Sequence, residues 1–248
     1  MLRTALALAF AFASVGGYAQ DDKAAEAEAK KRVEEFKAKI KTCKSNDDFV
    51  LALEGLGDQP HAVILAELKK WVARAGQPDL QIAAGKEVAK FKKDVKAAQF
   101  LIQMARAEKT GDVAANLYKS AGATGARAAA KDLNPILVYK DIKPELIPAA
   151  KGAIEATALF KSRDSIDPLI ALLGELEKEK SEADKAAQQP VVSGVPQDDK
   201  NKPQRHKELL DPAIKAIKAV TGEKFMTAKE YTKWWSKNKQ FFKEPPEE

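Results

Sequence analysis

The chain has 248 residues, 45% of them hydrophobic and only 7% aromatic, with 44 alanines. That length allows one or two domains with a sizeable core, and the alanine excess favours helices built from small residues. The 42 basic and 36 acidic side chains leave a net charge of +6; one cysteine excludes an internal disulfide framework, a cysteine-rich zinc site and a Cys-x-x-Cys centre, and two distant histidines leave little for metal or triad chemistry.

Met1 to Ala19 read as a secretory signal peptide. Arg3 supplies the positive start, Thr4 to Val15 a short apolar stretch, and Gly17 and Ala19 the small residues before a cut ahead of Gln20. The apolar stretch falls short of the roughly 20 residues a membrane span needs. Its removal takes away Arg3 and lowers the net charge from +6 to +5. The expectation is a mature chain that is exported, periplasmic or secreted, with no transmembrane segment after cleavage and no lipid anchor.

Residues 20–45 predict a charged amphipathic helix. Ala29, Val33, Phe36, Ile40 and Cys43 recur at helical spacing as one narrow stripe, and Glu26/Lys30, Glu28/Arg32 and Glu35/Lys39 pair one turn apart on the other faces. Cys43 reads as a small buried hydrophobe at the end of that stripe.

From 46 to 187 short helices alternate with tight breaks. Asn46-Asp47-Asp48 predicts a cap for a helix carrying Phe49, Leu53 and Leu56; Pro60 suits the first turn of a helix with Ile64, Leu65, Leu68, Trp71 and Val72 on one side. Gly76-Gln77-Pro78 opens a helix with Leu80, Ala84, Val88 and Phe91. Asp94 precedes Val95, Ala98, Leu101, Ile102 and Ala105, and Thr110-Gly111-Asp112 opens a helix with Val113, Leu117 and Tyr118. Gly122 to Gly125 read as a break, and a longer helix is expected from Pro144 to Phe160. No segment alternates with period two, so the fold class is all-α.

Internal repetition adds an architecture. Asp58 with Leu65 and Leu68 returns as Asp94 with Leu101 and Met104, and more loosely as Asp164 with Leu169, Ile170 and Leu173. An apolar-x-Pro-apolar-apolar pattern recurs around Pro135, Pro148, Pro168 and Pro212, where proline at helix starts would set one packing angle repeatedly. Two-helix periods of about 30 to 47 residues point to an α-solenoid.

Ala149 to Asp164, running into Ser165 to Leu173, resembles the second helix of one HEAT repeat leading into the first helix of the next. Ala216 to Gly222, then Phe225, Tyr231, Trp234 and Trp235, resembles the ending of exported bacterial HEAT-repeat proteins, with Tyr231 where that group more often has tryptophan. The resemblance covers 144–243 best and 46–132 more weakly. It implies a HEAT-like α-α superhelix with an aromatic C-terminal capping helix, a scaffold for protein interaction, and no catalytic residues or cofactor.

Residues 188–204 hold three prolines, a glycine and mostly polar side chains, predicting a flexible loop inserted before the final repeat helix and cap at 205–248. Thr227-x-x-Glu230 predicts a capping box, with Met226 stapling to Tyr231. Tyr231, Trp234, Trp235, Phe241 and Phe242 interleave with lysines; closure of a last core face is one reading. The alternative is a cell-envelope polysaccharide platform with Trp234 and Trp235 as ligand contacts.

No phosphate loop, nucleophile elbow or His-Glu-x-x-His helix is present, and His61 and His206 read as solvated surface histidines. Lysines and acids interleave throughout, which argues against a nucleic-acid partner. The expected function is a non-enzymatic extracytoplasmic scaffold binding a protein of the cell envelope through a concave surface.

Overall fold

The computed structural model describes residues 13–188 and 205–246, with side chains described from Asp22 onward. Within them the chain is all-α: α1 (Ala13–Ile40), α2 (Asn46–Leu53), α3 (Ala62–Val72), α4 (Pro78–Val88), α5 (Val95–Ala107), α6 (Gly111–Ala123), α7 (Ile147–Phe160), α8 (Ile166–Gln188), α9 (Arg205–Thr221) and α10 (Ala228–Asn238). Tight 3-10 turns join several of them, and a long one occupies Arg127–Leu137. The expected leader falls partly, and the expected loop almost wholly, outside the described residues: 1–12 and 189–204.

Local chemistry explains the helix starts. The Ser45 hydroxyl accepts from the Asp48 N–H while the Asp48 carboxylate accepts from the Ser45 N–H, a reciprocal box that satisfies two orphan donors at the start of α2. Asp94 accepts from the backbone of Lys96 and Ala97 at 2.8 and 3.0 Å, starting α5. At α3 the cap is His61, whose Nδ1 accepts from the Val63 N–H at 3.2 Å, so this histidine serves a helix end rather than standing free in solvent.

Packing sorts the helices into two rows. α1 lies against α3, α3 against α5, α5 against the 127–137 segment, and that segment against α8. In the second row α2 lies against α4, α4 against α6, α6 against α7, and α7 against α9. The pairs α3/α4, α5/α6 and α8/α9 join the rows, and α10 packs on α8. The apolar stripes face inward: Ile64, Leu65, Leu68, Trp71 and Val72 of α3 and Leu80, Ala84 and Val88 of α4 are all buried. α7 carries core on two sides, with Ala149, Ala153 and Phe160 toward the N-terminal helices and Ala150 and Ile154 toward the C-terminal ones.

Two glycines permit a very close contact between α6 and α7. A Cβ at Gly152 would lie 2.5 Å from the Ala115 Cα, and one at Gly122 would lie 2.6 Å from the Ala156 Cα. Real Cβ atoms do not approach so closely, so the two backbones meet only because these positions lack side chains. Gly122 therefore sits inside α6 and does not break it; the chain turns at Gly125, whose φ is +67°.

Other boundaries also differ from the sequence reading. α1 ends at Ile40, and Cys43 follows it half-buried in a turn. Pro148 begins α7 and Pro168 lies in the first turn of α8, but Pro212 lies inside α9 and Pro135 inside the 127–137 segment. Proline thus marks helix starts at two of those four positions.

Candidate functional site

The second row presents charged side chains at corresponding positions of two of its helices, with Leu51 of α2 and Leu159 of α7 exposed as well. Asp79 and Asp112 stand in the first turns of α4 and α6, and Lys86 and Lys119 stand seven residues further along each helix. Acid at the N-terminus and base toward the C-terminus complement each helix dipole. Lys119 reaches Glu155 of α7 at 2.8 Å. This pair is largely solvated, so it positions side chains more than it stabilises the fold.

Grooves run between neighbouring second-row helices. One of about 350 Å³ between α2 and α4 is lined by Asp47, Glu54, Asp79 and Lys86. Another of about 550 Å³ lies where α6, α7 and α9 meet, lined by Asp112, Asn116, Lys119, Lys151 and Glu208. The first is mainly acidic, with Glu87 and the apolar Val50, Ile82 and Ala83 completing its lining, and the second sets two lysines against two acids. The first row has a more apolar groove of about 440 Å³, at Leu137, Val138, Pro168 and Leu172.

The two tryptophans of the expected carbohydrate platform part company. Trp235 is buried, 4% exposed, with its indole N–H donating to Asp167 Oδ1 at 2.7 Å and its ring stacked on Trp234. Trp234 is half-buried, between Phe225 and Phe242. Phe241, 80% exposed, is the aromatic ring most open to solvent among the described residues. The Thr227–Glu230 capping box forms, and Thr227 foremost, with the Met226 and Thr227 N–H groups, holds the Glu230 carboxyl below its usual range. Met226 is 55% exposed, and it is Phe225 that packs edge-on against Tyr231.

The sequence reading missed two polar clusters. In the first, the chain after α10 folds back so that Glu244 accepts from the Arg127 guanidinium at 3.0 Å and from the Arg163 N–H at 2.6 Å. Arg127 also donates to the Phe160 carbonyl, tying the C-terminal segment to the corner after α7. In the second, the Glu179 carboxylate accepts from the His206 N–H at 2.8 Å, and Arg205 stacks over Tyr139 while donating to the Ile142 carbonyl. His206 is 9% exposed, so it is a packed residue of the α8/α9 contact, contrary to the surface role expected of it. These partners are separated by 27 to 117 residues, and no short motif announces them.

Among the described residues no group of three or more His, Cys, Asp or Glu side chains gathers as a metal site, and no helix is long and apolar enough to cross a membrane. Comparison with protein-family models, with curated proteins and with solved structures finds no match to this chain.

Proposed function

We propose that this chain is a short HEAT-like α-solenoid, closed by α10, that works as a non-enzymatic scaffold and binds a protein partner through a concave surface lined by its second-row helices. The observation that carries this reading is the unbroken second row, α2 on α4 on α6 on α7 on α9. Each helix adds solvent-facing side chains to one surface, as repeat scaffolds do. The position of α10 against α8, with Tyr231 and Trp235 buried over the last core, supports its role as a cap. The scaffold acts outside the cytoplasm, released by cleavage before Gln20. Among residues with described side chains the first buried one is Ala29, so that cleavage takes nothing from the described core.

Charge-matched variants test the surface. Lys119→Glu with Lys151→Glu alters the second row, and Lys96→Glu with Lys131→Glu alters the first by the same amount. Affinity capture from envelope fractions should lose its partner with the first pair and keep it with the second. Equal loss, or none, would contradict a second-row interface. N-terminal sequencing of the mature protein should begin at Gln20; an intact Met1 would refute export by this route.

A further inference from the structure

The outer face of α10 carries a row of uncompensated positive charge. Lys229, Lys233 and Lys237 follow one another at four-residue spacing, each about 40° further round the helix than the last, and all three are exposed. Phe241 is the next position in that series. Its N–H donates to the Asn238 carbonyl at 2.9 Å, so the turn after α10 keeps the helical course and sets this ring, 80% exposed, at the end of the lysine row. The opposite face, Ala228, Tyr231 and Trp235, is buried where α10 packs on α8.

Like charges one turn apart repel and weaken a helix. The nearby carboxylates do not relieve them. Glu230 closes the capping box, Glu177 accepts from the Ala228 N–H, Asp167 takes Lys239 and the Trp235 indole, and Glu244 takes Arg127. Among the described residues no carboxylate pairs with Lys229, Lys233 or Lys237. The row therefore lowers the stability of the free chain slightly, and an anionic surface laid against it would remove that penalty.

The side chains specify the kind of anion. Residues 227–246 hold five lysines and no arginine. Arginine's planar fork reads individual phosphates and bases, whereas lysine is a mobile point charge that suits a diffuse anionic surface. Phe241 adds an apolar anchor of the kind that enters the boundary between headgroups and acyl chains. One exposed ring at the end of the row, with Trp234 held between Phe225 and Phe242, is not the series of platforms that stacks successive bases. We propose that α10 is a docking face for an anionic phospholipid surface, with Lys229, Lys233 and Lys237 over the headgroups and Phe241 in the interface. The contact uses no residue of the second row, so either interface can fail without the other.

Co-sedimentation of the full chain with phospholipid vesicles tests this. Phosphatidylcholine vesicles containing about 30% phosphatidylglycerol should bind the chain at low salt, and pure phosphatidylcholine vesicles should not. Joint replacement by Lys229→Gln, Lys233→Gln and Lys237→Gln should weaken binding on the order of a hundredfold, at about fivefold per lysine. Lys96→Gln, Lys131→Gln and Lys140→Gln together remove the same charge from exposed positions elsewhere and should leave binding nearly unchanged. Phe241→Ser should weaken it about tenfold by removing the apolar anchor. All seven positions are exposed, so circular dichroism should show every variant folded. No binding to the anionic vesicles, equal loss with both lysine triples, or indifference to Phe241→Ser would overturn the proposal. Tighter binding to a single-stranded oligonucleotide than to the vesicles, lost with the first triple, would assign the row to a nucleic acid and overturn it as well.

Discussion

Two glycines in helix interiors show how a single position acts through its neighbours. Replacing a helical glycine by alanine is worth up to about 1 kcal/mol of helix propensity. At Gly174 of α8 the new Cβ would meet the Ala228 Cβ at 3.5 Å, an ordinary contact, so Gly174→Ala should stabilise by about 0.5–1 kcal/mol. At Gly152 the new Cβ would meet the Ala115 backbone at 2.5 Å, and overpacking of this kind costs about 1–3 kcal/mol or more. The steric term wins there, so Gly152→Ala should destabilise. Urea denaturation of both variants checks the opposite signs; a shared sign would mean that α6 and α7 do not meet so closely.

At the scale of one element, α10 illustrates how local grammar gives way to distant contacts. Thr227→Ala should cost about 1 kcal/mol by removing the cap, read as a lowered denaturation midpoint. The carboxyl of Glu230 is held below its ordinary 4.5 by Thr227 and two N–H groups, so its contribution is present above about pH 4.5 and is lost as pH falls through the lower folded value. Glu108, held down chiefly by the Thr110 N–H, and Asp48, held down chiefly by the Lys44 N–H, act in the same direction. The thermal midpoint should therefore be nearly flat from pH 8 to 6 and fall below about pH 4.5; a midpoint that rises on acidification would contradict this. The box itself was legible in sequence because its partners are three residues apart, and so were the stripes of α3 and α4, whose period matches their burial. The 127–137 segment was not, since its alanines fit several helical geometries and Pro135 denies it a regular α-helix. Glu244 was equally silent: nothing local tells it that Arg127 lies across the fold.

At the scale of the molecule, the two rows present different faces built from different helices, and the C-terminal segment ties the 127–137 segment to the corner after α7. Glu244→Ala removes one carboxylate that Arg127 and the Arg163 N–H share, and should lower stability by about 1–3 kcal/mol while raising hydrogen exchange at the corner around Ser162. Unchanged exchange there would show that the fold-back contributes little. The sequence repeats led to helix pairs, but which helix joined which row depended on contacts between positions about 30 residues apart, which periodicity alone does not order. The central claim is that the second row is the face that meets a partner. A photo-crosslinking residue at Asn116, beside the groove between α6 and α7, tests it against one at Gln103 of α5, exposed on the first row. In cells that make the protein, Asn116 should yield a discrete adduct with a second protein and Gln103 should yield none. Adducts of equal yield from both positions, or none from Asn116, would contradict the account.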